Sequence, residues 1–430
     1  MALEAPRAGS RRWDPAAHPR FGDQALYLAP LCSAGDRAPS DFGPACGPIP
    51  RWLSFVARPE ILELLSRAGM QAVPLGAAPL PAPGPRAEPG PAAKLAPGPE
   101  PAAPHGGPAE PGWAGMWIAP EAFEARCQRL DPAQRARLAP LSAALCAAAA
   151  TPPRARLMAV LNATPDSFSD GGRLFSAGRL DPGLARARAL ELVAAGADCL
   201  DVGGESTRPG AEPVDAATEW SRVGPLLEAL GGQLGQTQLS IDTQKAEVAE
   251  RALDLGATWI NDVSAGEHDP RLLSLAARRG CKLVLMHRQG EPRTMQADPR
   301  YAEPVFDVAL ALRRRARAAL EAGVSDADLL LDPGLGFGKR LEHNLALLAR
   351  LAELRALGQP LLLGASRKSF LGRLSGCEQP RGRLPESLAA ACVGAAAGAA
   401  WLRVHDVAET RAALSLIGAL RPAEGQRAWN

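Results

Sequence analysis

The chain is 430 residues long, which is enough for two or three domains of ordinary size. Its 48 basic and 46 acidic residues leave a formal net charge of +2, which indicates neither a nucleic-acid-coating surface nor an acidic tail. Eight scattered cysteines without a CxxC pair suit a reducing compartment, and no signal peptide or membrane-spanning run is visible. We therefore expect a cytoplasmic protein with no membrane or nucleic-acid partner.

The N-terminal third shows no pattern that points to chemistry. Residues 1–71 are predicted to be weakly structured, with one helix candidate over 59–70. Residues 72–112 are mostly Pro, Ala and Gly, which favours an extended linker that we expect to be disordered over 74–112. Residues 113–153 are Ala-rich and are predicted to be a helical segment that precedes a folded domain over 154–425.

From residue 154 onward, short apolar runs alternate with longer helical stretches, a pattern typical of parallel strands joined by crossover helices. Eight strands are predicted, at 156–163, 197–203, 238–243, 258–263, 282–287, 329–333, 360–365 and 401–405. Helices are predicted between them, at 182–195, 245–255, 271–279, 305–322, 342–356, 386–399 and 407–420. Eight units of this kind match a (β/α)8 TIM barrel of the α/β class better than an open sheet.

Polar residues follow the predicted strands at their carboxyl ends, where barrels of this class carry their active sites. They include Asn162, Asp242, Asn261, Asp332, Ser366, Lys368, Arg403 and His405. Single residues have simpler interpretations, since Asp262 and Asp406 can cap the next helix and Asp201 can be a buried structural carboxylate. Their coincidence at seven strand ends favours one common site.

The glycine-rich run from Gly334 to Lys339 superficially resembles a phosphate-binding loop. Its spacing is one residue short of that motif, and no Ser or Thr follows the lysine. The run is therefore not interpreted as a nucleotide site.

The types of residue at the strand ends indicate what they could bind. Ionised Asp only accepts hydrogen bonds and Asn both donates and accepts, so Asp242, Asn261 and Asp332 suit a flat heterocycle with several N–H donors, such as a pterin or guanine edge. Arg403 and His405 beside Asn162 suit a diphosphate with a divalent cation.

Five segments, in order, resemble the dihydropteroate synthase family of pterin-binding enzymes. They are 162–172, 203–210 (GGESTRPG), 332–339, 366–369 (SRKS) and 403–406 (RVHD). The resemblance covers roughly 154–420 and implies a homodimeric pterin-binding barrel of folate biosynthesis. Such an enzyme joins 4-aminobenzoate to 6-hydroxymethyl-7,8-dihydropterin diphosphate and releases diphosphate with the help of Mg²⁺.

The resemblance also implies a role for each matching residue. Asn162 would contact Mg²⁺ and the diphosphate, which Arg403 and His405 would hold. The pterin would be bound by Asp242, Asn261, Asp332 and Lys368, and the aminobenzoate by Thr207, Arg208, Pro209, Phe337 and Ser366. Asn162, Lys368, Arg403 and His405 would be catalytic. Because an aromatic amine is already neutral at pH 7, departure of the diphosphate is the larger task and no strong general base is required.

Two other functions stay open at this point. A pterin-dependent methyltransferase would bind the same heterocycle through a similar set of Asp and Asn residues, but no corrinoid-binding domain is visible in the chain. A catalytically silent pterin-binding paralogue could act through a partner, although every motif position is intact. Small residues around 388–399 further predict a dimer formed through the late helices.

Overall fold

The structure is a computed structural model that describes residues 25–31, 52–57, 73–74, 114–118, 131–132, 154–164, 175–176, 179–207, 210–301 and 304–419. The chain divides into two compact units, Asp23–Ala149 and a larger one made of Met1–Gly22 with Ala150–Asn430. The helix predicted over 59–70, and the linker apart from Val73 and Pro74, lie outside the described residues.

The smaller unit contains an antiparallel sheet. Its strands are β1 (Ala25–Leu31), β2 (Trp52–Ala57), β3 (Val73–Pro74) and β4 (Ala114–Ile118), in the order β1-β2-β4-β3. The helical prediction for 113–153 is wrong for β4, and the predicted weakly structured segment 1–71 contains β1 and β2. Strand β4 pairs with β2 from Ile118 to Ala114. Its residues, AGMWI, contain one alanine and end in Trp117 and Ile118, which favour strands, whereas the Ala-rich part of the segment comes after β4. Further along the segment, Pro132 is helical.

The larger unit is the predicted (β/α)8 barrel, with eight parallel strands. These are β5 (Arg156–Asn162), β8 (Cys199–Gly203), β9 (Gln238–Asp242), β10 (Trp259–Asp262), β11 (Lys282–Met286), β12 (Leu329–Asp332), β13 (Leu362–Leu363) and β14 (Trp401–Val404). They are hydrogen-bonded in the order β12-β11-β10-β9-β8-β5-β14-β13, and a parallel bridge between Leu331 and Leu361 joins the two ends. A two-residue hairpin of β6 (Phe175–Ser176) and β7 (Arg179–Leu180) follows β5.

Helices alternate with the barrel strands, and two of them, Ala216–Leu230 and Ser369–Ser375, were not among the predicted helices. The helices are α1 (Pro182–Ala194), α2 (Ala216–Leu230), α3 (Ala246–Asp254), α4 (Arg271–Arg279), α5 (Pro304–Glu321), α6 (Leu341–Ala349), α7 (Ser369–Ser375), α8 (Leu384–Ala397) and α9 (Val407–Ala419). The single helix predicted over 342–356 ends at Arg350, whose ψ of 23° leaves the helical range, and a 3-10 helix continues over Leu351–Leu357. No helix of the described residues is both long and apolar enough to cross a membrane.

The amino-terminal end of the barrel is filled by apolar side chains. A buried cluster takes one residue from each of seven strands: Met158, Cys199, Trp259, Val284, Leu330, Leu362 and Trp401. The rings of Trp259 and Trp401 meet edge to face with their centroids 4.8 Å apart. This end is closed by packed hydrophobic groups, and buried polar side chains such as Asp201 and Ser240 lie from the middle of the strands toward their carboxyl ends.

Candidate functional site

Parallel register brings the polar strand ends side by side. Gly203 pairs with Asn162 on one side and with Asp242 on the other, and Asp242 pairs in turn with Asn261. Gly203 carries no side chain, and a Cβ built there would lie 3.4 Å from Cβ of Asp242 and 3.7 Å from Oδ1 of Asn162. The glycine therefore leaves space between the amide of Asn162 and the carboxylate of Asp242, at the mouth of the barrel.

A fully buried carboxylate, Asp201, connects three strands below this mouth. Its Oδ1 accepts from Oγ of Ser240 at 2.6 Å, and its Oδ2 accepts from Nδ2 of Asn261 at 2.9 Å and from Nε of Arg403 at 2.6 Å. These bonds fix the orientation of the Asn261 amide and leave its Oδ1 as an acceptor. From the sequence alone, Asp201 was expected to be a structural carboxylate. Its position two residues before the strand end, on the same face as Gly203, was the available signal.

Arg403 lies between two carboxylates of the barrel interior. Its Nε donates to Asp201 and its Nη2 donates to Oδ2 of Asp242 at 2.6 Å, while 21% of its side chain stays exposed. Burial alone would lower the pKa of Arg403, but the two carboxylates raise it above its ordinary value. Burial raises the pKa of Asp242, and the guanidinium opposes that shift. The two bonds use two of the five guanidinium N–H groups, so donors remain for an anionic ligand.

Asp332 ends β12 beside this ion pair. Its Oδ1 accepts from the backbone N–H of Gly334 at 2.7 Å, and its Oδ2 would lie 3.8 Å from a Cβ built on Gly364. Burial raises the pKa of Asp332, and the Gly334 hydrogen bond with the nearby cations Lys368 and Arg403 opposes this rise. Oδ1 of Asp332 therefore stabilises the turn that follows β12, and Oδ2 faces the barrel interior.

Lys368 and Phe337 meet above Asp332. The ammonium of Lys368 lies 4.0 Å from the centroid of the half-buried Phe337 ring, within cation–π range. This contact joins a residue predicted to bind the pterin to one predicted to bind the aminobenzoate.

The glycine-rich turn after β12 is held from inside by Lys339. Its buried ammonium donates to the backbone carbonyls of Gly334 at 2.9 Å, Phe337 at 3.0 Å and His287 at 3.3 Å, and lies 2.9 Å from Nδ1 of His287. Burial, followed by the charge of Lys339, lowers the pKa of His287 well below its ordinary value. Burial also lowers the pKa of Lys339, to about 7. When Lys339 is protonated, its ammonium can only donate, so Nδ1 of the His287 ring accepts in this contact. Lys339 thus stabilises its own turn by hydrogen bonds to the backbone. This agrees with the prediction that the glycine-rich run is not a phosphate-binding loop.

Replacing Lys339 by Met is expected to destabilise the fold, because the apolar stem remains but three buried carbonyls lose their donor. We expect the free energy of unfolding to fall by about 1–3 kcal/mol in urea denaturation. Lys282→Met is the matched control, since the Lys282 ammonium lies 3.7 Å from Asp328 and its side chain is 35% exposed. Equal stability of the two variants would contradict the role of Lys339.

Ser366 and His405 link the loops after the last two strands. Oγ of Ser366 accepts the backbone N–H of His405 at 3.2 Å and lies 3.0 Å from Nδ1 of the same residue. Ser366 is buried and His405 is half-buried at the mouth. A residue predicted for aminobenzoate and one predicted for diphosphate are therefore in direct contact.

The loop after β8 is fixed at its base by Glu205. Its Oε1 accepts from the backbone N–H of Val214 at 3.0 Å, and its Oε2 accepts from Nζ of Lys245 at 2.8 Å. Lys245 also donates to Glu219 at 2.6 Å. Thr207 is half-buried within this loop, whereas the predicted site residues Arg208 and Pro209 lie outside the described residues. Glu205 was not among the predicted site residues, although it lies inside the GGESTRPG motif at 203–210.

Among the described residues, no group of three or more His, Cys, Asp and Glu side chains could hold a metal ion. Mg²⁺, however, usually keeps several waters and binds through one or two protein ligands together with substrate phosphates. The amide oxygen of Asn162, next to the side-chain-free Gly203, is a hard ligand of this kind. The residues at the mouth therefore fit an ion that arrives with a diphosphate, rather than a site built wholly from protein.

A closed parallel barrel with buried carboxylates, an amide and two cations at its mouth is the architecture of a pterin-binding barrel. The family of pterin binding enzymes matches residues 158–405, and the chain belongs to this family. Its relatives include dihydropteroate synthases. That of Escherichia coli is 43% identical over 273 residues, which are 64% of this chain and 94% of the relative. That of Mycobacterium leprae is 45% identical over 274 residues, which are 61% and 93% of the two chains.

Solved structures that resemble this chain are also dihydropteroate synthases. Dihydropteroate synthase of Xanthomonas albilineans with 4-aminobenzoic acid matches at a TM-score of 0.57 and 44% identity, covering 63% of this chain and 94% of the other. The Thermus thermophilus enzyme with 4-aminobenzoate matches at a TM-score of 0.55 and 48% identity, covering 62% and 95%. The expected fold and family are thus confirmed.

Proposed function

We propose that this chain is a dihydropteroate synthase, which condenses 4-aminobenzoate with 6-hydroxymethyl-7,8-dihydropterin diphosphate to give 7,8-dihydropteroate and diphosphate. The observation that carries the proposal is the buried set of Asp242, Asn261 and Asp332 around Arg403. This set offers acceptors to a donor-rich ring and a guanidinium to an anion. A related structure, that of the Xanthomonas albilineans enzyme in complex with 7,8-dihydropteroate, supports the proposed product.

The acceptor set would orient the pterin ring. Asp332 presents Oδ2, and Asn261 presents Oδ1 because Asp201 holds its amide nitrogen at 2.9 Å. Since these side chains are already fixed by strand register and by Arg403, little conformational freedom is lost when the ring binds. The pterin methylene would then lie toward the loops that carry Phe337, Ser366 and His405.

In the reaction, the amine nitrogen of aminobenzoate forms a bond to the pterin methylene carbon while the bond from that carbon to the diphosphate oxygen breaks. The bonding electrons leave with the diphosphate, and the amine proton passes to solvent. Arg403 and His405 would bind the departing anion, whose negative charge grows as the bond breaks. Lys368, held over the Phe337 ring, adds positive charge beside the same space.

Mg²⁺ would enter the site bound to the diphosphate of the pterin substrate. Asn162 would hold it through the amide oxygen. When bound, the ion neutralises charge on the leaving group. Arg403, His405 and Asn162 would position the diphosphate on the side of the mouth formed by β14 and β5, which are neighbours in the sheet.

Diphosphate release tests the proposal directly. The full-length chain is mixed with both substrates and Mg²⁺, and diphosphate and dihydropteroate are measured together. We expect stoichiometric formation of both products, with none when aminobenzoate is omitted and a strong reduction when EDTA is present. A folded protein that binds the pterin diphosphate and forms no dihydropteroate would contradict the proposal and favour a silent pterin-binding paralogue.

The segment before the barrel is expected to be dispensable for catalysis. A chain that begins at Thr151 retains every described residue of the proposed site, so its turnover number and KM values should equal those of the full chain. Steady-state kinetics on both proteins, at equal folded concentration by circular dichroism, provide the measurement. A soluble, folded and inactive fragment would show that residues 1–150 complete the site.

Cytoplasmic location and a homodimer formed through the late helices remain predictions. Val393 of α8 is 47% exposed and Leu416 of α9 is 62% exposed, so each of the last two helices carries an exposed apolar side chain that a second copy would cover. Sedimentation equilibrium of the full chain measures the oligomeric state.

A further inference from the structure

Two loops at the mouth of the barrel are joined by a salt bridge that the proposed mechanism does not use. Nε of Arg367 donates to Oδ2 of Asp406 at 3.0 Å, and Nη2 of Arg367 donates to Oδ1 at 2.5 Å. The side chains are 14% and 15% exposed. A bidentate pair between a planar guanidinium and a carboxylate fixes direction as well as distance, because both donors and both acceptors must lie in register.

The backbone of Arg367 is held in an unusual conformation. Its φ is +59°, and Arg367 and Ala265 alone share a positive φ among the non-glycine residues of the described part of the chain. The N–H of Arg367 donates to Oγ of Ser387 at 2.9 Å, and its carbonyl accepts from Nη1 of Arg383 at 3.0 Å. A left-handed residue costs free energy and persists where surrounding contacts determine it. The turn at Arg367 is therefore imposed by its neighbours.

The residues next to the pair in sequence belong to the proposed site. Arg367 stands between Ser366 and Lys368, and Asp406 follows His405 directly. Ser366 and His405 are also in contact, so two successive residues of one loop meet two successive residues of the other. A shift of either loop against the other would have to break both contacts.

We propose that Arg367 and Asp406 are positioning residues, which set the distance between the Lys368 side and the His405 side of the site. The inference rests on the proposed function, because its consequence is the relative placement of pterin and diphosphate contacts. The pair does not touch the substrates in this account. It acts through Ser366, Lys368 and His405, whose geometry it fixes.

Kinetics provide the first test, with the neutral variants Arg367→Gln and Asp406→Asn and with their double variant. We expect each single variant to lower kcat by about 10- to 100-fold, as misplacement of catalytic groups does, with a smaller change in pterin affinity. The kcat of the double variant should be no lower than that of the slower single variant, since both substitutions remove the same contact. Arg367→Lys keeps the charge without the planar fork and should restore kcat only in part.

A matched control separates positioning from general stability. Arg350 makes a comparable bidentate pair with the buried Glu353, at 2.7 Å for each contact, beyond the end of α6 and away from the strand ends that form the mouth. Arg350→Gln should lower the melting temperature as Arg367→Gln does and leave kcat unchanged. Equal losses of kcat in both variants, or unchanged kcat in Arg367→Gln, would overturn the inference.

Hydrogen exchange by mass spectrometry gives a readout that does not depend on turnover. Arg367→Gln should speed exchange about tenfold in a peptide over 401–407, which contains β14 and the loop that follows it, as well as in its own peptide over 365–375. Arg350→Gln should change neither. If the wild-type chain makes no dihydropteroate, the proposed function fails. The exchange measurement still shows whether the salt bridge couples the loop of Arg367 to the loop of Asp406. Unchanged exchange over 401–407 in Arg367→Gln would overturn the positioning role by itself.

Discussion

Asp332→Asn is expected to weaken binding of the pterin diphosphate by about 5- to 150-fold, which corresponds to about 1–3 kcal/mol. The substitution preserves size, and the new Oδ1 still accepts the Gly334 N–H that Asp332 accepts at 2.7 Å. The second carboxylate oxygen becomes an NH₂ group, so a donor faces the donors of the ring. The loss therefore reports the hydrogen-bonding character of this position rather than collapse of the turn.

Titration calorimetry with the pterin diphosphate measures this affinity, and Asp262→Asn serves as its control. Asp262 is also a buried carboxylate at a strand end, but its oxygens accept from Ser264 at 2.7 Å and from Gly266 at 2.5 Å, within its own loop. Asp262 is thus a local structural residue, but it holds the turn over 262–266 and does not cap the next helix as expected, since the N-cap of α4 is Pro270. The control should lower stability and leave affinity unchanged. An Asp332→Asn protein that binds as tightly as the wild type would remove Asp332 from the pterin site.

The barrel could be predicted from the sequence because its strands are short, largely buried apolar runs that alternate with longer helical stretches. Each predicted strand is present, with ends that differ from the prediction by no more than two residues. The strand that is shortened most is β13, which is predicted over 360–365 and formed by Leu362–Leu363 alone. Pro360 lacks a backbone donor and Gly364 lacks a side chain to pack, and both weaken pairing at the ends of that strand.

The contacts at the mouth could not be predicted in the same way, because they depend on register between strands far apart in sequence. Asp201 and Arg403 are separated by 202 residues and meet at 2.6 Å. Sequence showed that each ends a strand or lies near its end, but not that one carboxylate orients both Asn261 and Arg403. Lys339 is a similar case, since spacing excluded a phosphate loop without indicating that the ammonium turns inward to hold three carbonyls.

Removal of the Arg403 cation is expected to have the largest effect, on both stability and catalysis. In Arg403→Ala, Asp201 and Asp242 lose a shared partner at 2.6 Å from each, and unfolding free energy should fall by about 3–5 kcal/mol, as for other broken buried ion pairs. The guanidinium lowers the pKa of Asp242, so its loss raises that pKa further. A carboxyl with a raised pKa loses its acceptor character as pH falls, and the acid limb of pterin affinity should move to higher pH.

The catalytic part of this prediction uses Arg403→Lys, which keeps a positive charge between the carboxylates and therefore remains folded more readily than Arg403→Ala. If the guanidinium also binds the leaving group, its contact strengthens as negative charge grows on the bridging oxygen. We expect single-turnover diphosphate release to fall by about 10²- to 10³-fold. Binding of a pterin that lacks the diphosphate should change much less.

Arg411→Lys is the control for this substitution, because Arg411 pairs with Asp198 at 2.9 Å at the opposite end of β8. Asp198 directly precedes that strand, so the control removes the planar fork of an arginine at the closed end of the barrel, away from the mouth. Its single-turnover rate should equal that of the wild type. A wild-type rate in Arg403→Lys at saturating Mg²⁺ would show that Arg403 only neutralises Asp201 and Asp242, and the diphosphate would then have to be held by His405 and Asn162 without it.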